Sequence, residues 1–234
     1  MIDSSYDRNA HPRTASPLFH CMLELEAITR LCGIGKRSLD EELNALHRTM
    51  DKDVEKLDER SLEAYLSDIN DDYIVVSETL PVYQWYALYV LAYGLFEKAL
   101  SEECETLRVD RNLSLSAKDL NGQGLVRFKT YLVKVAGVTD PFKDQLWQAI
   151  LHFAEVRNAI VHRAGFVDFK PNDQSSLYAR LSAKGDVAEL KQEVQNQEDA
   201  QIIISEQYVL SSVETYSAFL RQLQGVAHSV RRST

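Results

Sequence analysis

The chain has 234 residues, 45% of them hydrophobic and 26% charged, enough apolar material to fill a core and too much for a disordered tail. Gly and Pro together make 14 of 234 residues, about 6% against a usual ~12%, which disfavours collagen, Gly-rich low complexity and many-turned β-sandwiches and favours long regular elements. Lys and Arg number 26 against 35 Asp and Glu, a formal charge of −9 with a pI near 5.2, so an overall basic coat for nucleic acid is absent while a local positive cleft is still allowed.

Three cysteines, Cys21, Cys32 and Cys104, lie far apart with no CxxC spacing. They argue against a disulfide framework and a Cys-based zinc site and fit a reducing cytoplasm. The opening MIDSSYDRNAHPRTASP has no apolar run of the kind a secretory signal needs. The most apolar stretch, residues 85–96, is 12 residues long, against the ~20 of a membrane span, and reads as a buried helix.

In chain order, residues 1–15 read as a flexible tail and 16–234 as one helical domain. Ser16 and Pro17 supply a cap and a first-turn proline for a helix of about 15 residues, with Gly33 as its stop. Ser38 and Glu41 then form a capping box, and the charged stretch to Asn70 spaces Leu39, Leu43, Leu46, Met50, Val54, Leu57, Leu62 and Leu66 as an amphipathic helix or a broken pair. Residues 80–107 are apolar almost all round, the mark of a central helix packed on several sides. A short amphipathic helix follows over 125–135, closed by Gly137, and Asp140 with Pro141 opens a long one that runs to Arg163 and stops at Gly165. Residues 166–200 are polar and irregular, with one short helix expected near 187–194. The single strand-like run is 200–205, too isolated to define a sheet, and a last helix spans about 206–228 with a basic end at Arg231 and Arg232.

The chemistry gathers on PFKDQLWQAILHFAEVRNAIVHRAG. At ~100° per residue, Leu146, Ile150, Phe153, Ile160 and Val161 form one stripe, and Arg157 falls in its middle. A guanidinium there is costly unless it is paired or faces a polar cleft. Asn158 and His162 lie one turn apart, so the three polar groups can converge on one ligand or on a facing copy of the helix. Imidazole moves protons near neutral pH, arginine holds phosphate, and an amide orients either; attack of an RNA 2′-hydroxyl on the adjacent phosphate needs no metal. The sequence has no GxxxxGK[ST], GxGxxG after a strand, GxSxG or HExxH, and His152 with Glu155 makes only a weak metal pair.

Arg157-Asn158 followed by His162 resembles the Arg-x4-6-His motif of HEPN domains, and RNAIVHRAG is similar to the form in several bacterial branches of that family. YGLFEKAL supplies a second likeness, with Glu97 at the place of a glutamate that HEPN domains often carry on an earlier apolar helix. The resemblance covers residues 80–165 well and the last strand and helix loosely. It implies an all-α HEPN-like bundle with extra N-terminal helices and at most a minor strand near the C-terminus, dimerising so that two Arg157–His162 helices line one cleft. In active members that cleft is a metal-independent ribonuclease, often a toxin or antiviral effector acting on RNA, with no cofactor and with a cognate antitoxin or regulator in some systems. Carried over, His162 acts as general acid/base or orients the 2′-hydroxyl, Arg157 binds the scissile phosphate and Asn158 positions one of them. Glu97, beside Tyr93, holds Arg157 or joins the cleft; apart from the resemblance, Arg163 next to the motif can add a phosphate contact or be an ordinary exposed arginine at a helix end.

Plainer readings stand beside these. Arg157 and Glu97 can form a structural ion pair only, His162 can owe its place to the helix dipole, and Tyr83, Tyr86, Tyr89 and Tyr93 read as packing rather than base-stacking platforms. The alternative function is a non-catalytic HEPN module that binds a nucleotide or a protein partner, a reading that the acidic balance favours.

Overall fold

The computed structural model describes residues 16–170, 172–184, 188–192 and 198–231; the tail expected at 1–15 and Arg232 lie outside them. The fold is all-α with one small sheet. Its elements are α1 (Pro17–Val54), α2 (Glu59–Ile74), a π-helical turn (Val75–Thr79), α3 (Leu80–Asp110), α4 (Gly124–Lys134), α5 (Gln145–Arg163), β1 (Phe166–Asp168), α6 (Leu177–Lys184), β2 (Ala188–Gln192), β3 (Asp199–Ile204) and α7 (Glu206–Arg231). Among the described residues no helix is long and apolar enough to cross a membrane.

The core is built by α3 and the three helices around it. In α1, Leu18, Cys21, Leu25, Ile28 and Cys32 recur at three- and four-residue spacing and bury one stripe against α3 and α7. From α3 come Tyr89, Phe96, Leu100 and Leu107, from α5 Trp147 and Ile150, and from α7 Tyr216 and Phe219. Phe96 stacks on Tyr216 with ring centroids 4.6 Å apart, and Phe219 meets Trp147 at 5.4 Å. Such large rings bring most of the buried area, so the bundle is anchored by aromatic contacts between α3, α5 and α7.

Two expectations about the first third change. Gly33 does not stop the first helix: α1 runs through Gly33, Gly35 and Ser38 for 38 residues, so the capping box at Ser38 is not used. A helix-interior glycine costs about 1 kcal/mol against alanine, and Gly35 has a reason to be there, because a Cβ would collide with the Gln84 amide, whose Cδ would stand at 2.8 Å. The break comes later, after Val54, where the side chain of Asp58 accepts from Ser61 N at 2.9 Å and caps α2. The second half of α1 and α2 therefore form an antiparallel arm, and α2 continues through the π-helical turn into α3.

The C-terminal third also differs. The helix expected near 187–194 is instead β2, antiparallel to β3 from Ala188↔Ile204 to Gln192↔Ala200, while β1 pairs with the other edge of β3. Val187, Leu190 and Val194 have helical spacing, but Ala188 and Leu190 also fit a period of two, and the unpaired edge of β3 decides between them. β3 itself alternates, burying Ala200, Ile202 and Ile204.

Candidate functional site

The Asp144 side chain accepts from Gln145 N at 2.5 Å to begin α5 and from Gln222 Nε2 at 2.9 Å, which ties that end to α7. Pro141 lies in a preceding 3₁₀ turn, so the helix starts four residues later than Asp140 suggested. The other end stops at Ala164 and Gly165, with φ of 51° and 89°. Gly165 N donates to the Ala159 carbonyl at 3.1 Å, Ile202 N donates to the Gly165 carbonyl at 2.9 Å, and the Tyr86 hydroxyl donates to the Ile202 carbonyl. A Cβ on Gly165 would run into that hydroxyl, so the glycine of RAG is needed for its conformation and for the passage of Tyr86.

α5 has two faces. Trp147, Ile150, Phe153, Val156, Ala159 and Ile160 are buried. Val161, expected in the core stripe, is 46% exposed, because the buried face runs through Val156 and Ile160 and Val161 lies ~100° beyond it. It belongs to a second stripe, Leu151, Ala154, Asn158 and Val161 at spacings of three, four and three, with His162 one turn from Asn158. Leu151 and Ala154 are half-buried, and Asn158, Val161 and His162 are exposed.

Arg157 stands at the border between the faces, half-buried. Its Nη1 donates to Asn158 Oδ1 at 3.0 Å, and its Cζ lies 5.0 Å from the centroid of the Tyr93 ring. Among the described residues nothing accepts a hydrogen bond from its buried Nε. Burial pushes the Tyr93 phenol up to about 12, with Glu97 raising it further and Arg157 opposing both. No Arg157–Glu97 ion pair occurs among the described residues. Glu97 turns instead toward the start of α4, where its Oε1 would be only 2.6 Å from a Cβ on Gly124. Gly124, at a φ of 50°, makes that room.

Arg163 is committed elsewhere, donating to Asp168 at 2.6 Å and Asp199 at 2.9 Å and so tying the end of α5 to β1 and β3. Those partners hold it away from a free phosphate. Glu155 pairs with Arg180 of α6, and among the described residues no group of three or more His, Cys, Asp or Glu is placed to hold a metal. Tyr86, Tyr89 and Tyr93 are buried as packing residues, whereas Tyr83 is 60% exposed. Tyr216 of α7, fully buried with its ring 6.4 Å from Tyr93, completes the floor under Arg157; no local pattern in the sequence marked it. The second stripe was readable from its spacing, had Val161 been grouped with Leu151 and Ala154 instead of with the core stripe.

Compared with family models, curated proteins and solved structures, the chain gives no significant match.

Proposed function

We propose that the chain is a HEPN-type, metal-independent endoribonuclease, working as a homodimer in the cytoplasm as a toxin or antiviral defence effector. The observation that carries this reading is the border of α5, where Arg157, with an unbonded Nε, and Asn158 share one edge with exposed His162. A half-buried guanidinium with spare donors is an incomplete site, and a phosphate oxygen completes it. The stripe of Leu151, Ala154, Asn158 and Val161 is half-buried at its first two residues and exposed at its last two, and it matches the spacing by which one helix packs on its own copy.

In the proposed step His162 takes the proton of the RNA 2′-hydroxyl, the O2′–phosphorus bond forms and the phosphorus–O5′ bond breaks. The departing O5′ takes a proton from a second imidazole across the two-fold axis. Arg157 stabilises charge growing on the phosphoryl oxygens, and Asn158 fixes the guanidinium. Glu97 acts at a distance through Tyr93, and Arg163 holds the helix end rather than the substrate.

Expression in cells tests the reading. The wild type slows growth and His162→Ala restores it at equal protein level. Equal growth with both would support the second reading, a non-catalytic module binding a nucleotide or protein partner, such as a cognate antitoxin or regulator. The acidic balance that favoured this module is unevenly distributed: residues 33–79 hold 13 acidic and 6 basic side chains, leaving 22 against 20 elsewhere. The bundle that carries Arg157 is thus close to neutral.

A further inference from the structure

The first half of α3 carries no charged side chain over residues 80–96. A helix that is apolar all round is expected to be covered all round. One face is not: Leu80, Tyr83 and Leu91 are 43%, 60% and 48% exposed, and Ala87 and Gly94 are exposed with them. The five lie within an arc of ~80°. They make an apolar patch on the order of 400 Å², the size at which exposed apolar surface marks an interaction site. Gln84, against Gly35 of α1, bounds it on one flank, and Tyr93, under Arg157 of α5, bounds it on the other. Among the described residues nothing accounts for Gly94. A Cβ there would meet no atom within 4 Å, yet glycine weakens the middle of a helix relative to alanine.

Size and charge together select the occupant. Laid antiparallel on a copy of itself with Tyr83 over Gly94, this face also brings Leu91 over Ala87, so each large side chain meets a small one. A parallel pair would set Tyr83 against Tyr83 and leave Gly94 facing Gly94. With no charge in the patch, a second copy brings no like-charge repulsion. The patch is about half of the ~800 Å² that each partner gives to a standard interface, and exposed Asn158, Val161 and His162 of α5 lie beside it to supply more. The two-fold axis of the antiparallel pair falls at the level of residues 88 and 89. α5 passes that level between Arg157, over the Tyr93 ring, and Gly165, against the Tyr86 hydroxyl, which is where His162 stands. The same symmetry keeps both α5 helices on one side of the α3 pair. We infer that the exposed face of α3 packs antiparallel on the same face of a second copy, with Tyr83 in the gap over Gly94 and Leu91 over Ala87. This pairing rests on the homodimer of the proposed function and adds its contact helix and register; it stands apart from whether the cleft cuts RNA.

Sedimentation of the full chain tests the pairing, and the wild type should run as a dimer. Gly94→Leu adds a side chain where the monomer is open and favours the helix, so thermal stability of the monomer should hold or rise. The dimer needs that gap for Tyr83 and should dissociate at least about tenfold more readily. Leu91→Lys, at another exposed position, buries an unpaired charge only in the dimer and should weaken it by a similar factor. Tyr83→Ala added to Gly94→Leu reopens the gap from the other side and should recover part of the loss, a response that a general intolerance of bulk at position 94 would not give. A wild type that stays monomeric at about 0.1 mM, a dimer indifferent to Gly94→Leu and Leu91→Lys, or no recovery with Tyr83→Ala overturns the pairing. A wild type that dimerises through these residues and cuts no RNA supports the pairing and refutes the ribonuclease reading.

Discussion

Gly165→Ala is the sharpest perturbation of the scaffold under the candidate site. Gly165 has a φ of 89°, and an added Cβ would meet the Tyr86 hydroxyl, with the ring's Cζ at 2.8 Å. The left-handed backbone costs an alanine about 1–2 kcal/mol. Displacing the Tyr86 hydroxyl strips the Ile202 carbonyl of its donor, a further ~1–3 kcal/mol for a buried group left unbonded. The sum, about 3 kcal/mol, should lower the melting temperature by roughly 6–12 °C for a chain of this length, measured by calorimetry with denaturant unfolding alongside. Tyr86→Phe loses only the hydrogen bond and should cost ~1–2 kcal/mol. Because both changes act on one contact, the double variant should fall short of additivity by about 1 kcal/mol. A cost below about 1 kcal/mol for Gly165→Ala, or strict additivity, would refute the tie between α5, Tyr86 and β3.

Other consequences follow from the same geometry. Tyr86 and Tyr93 are both pushed up to about 12 by burial, so the folded state keeps protons that the unfolded chain releases near 10; stability should hold below pH 10 and fall as pH rises toward 12, read from denaturant midpoints. Arg163→Ala removes two exposed ion pairs and should cost ~0–1 kcal/mol, while amide exchange of β1 and β3 quickens and RNA cleavage falls far less than in Arg157→Ala. Cys21, Cys32 and Cys104 are buried with thiols pushed up to about 12, 11 and 12; none should react with a thiol reagent at neutral pH in the folded chain, and all three should on unfolding.

The helical bundle was legible because its signals are local. Pro17 opens α1, Gly137 at a φ of 70° closes the turn after α4, and Gly165 ends α5, each as a cap or a stop. Gly33 misled because an interior glycine and a terminal one look alike until the neighbour that needs the space is known, here Gln84 against Gly35. β2 escaped for the same reason: residues 188–192 become a strand through pairing with β3, and long-range pairing leaves little local trace. At the site, Arg157, Asn158 and His162 were readable from one helix, and Arg157 and Asn158 do touch. The expected Arg157–Glu97 contact was not readable correctly: Tyr93 was visible one turn before Glu97, but the room that draws the Glu97 carboxylate away is made by Gly124 of α4, a different element. Arg163 likewise gave no hint of Asp199, 36 residues away.

The central claim is that the edge of α5 cleaves RNA without a metal. Wild type and folded His162→Ala, incubated with total cellular RNA in EDTA and followed by mapping of fragment ends, test it directly. The account predicts cuts by the wild type alone, leaving 2′,3′-cyclic phosphates. Cleavage that EDTA abolishes, or that persists unchanged in His162→Ala, would contradict it.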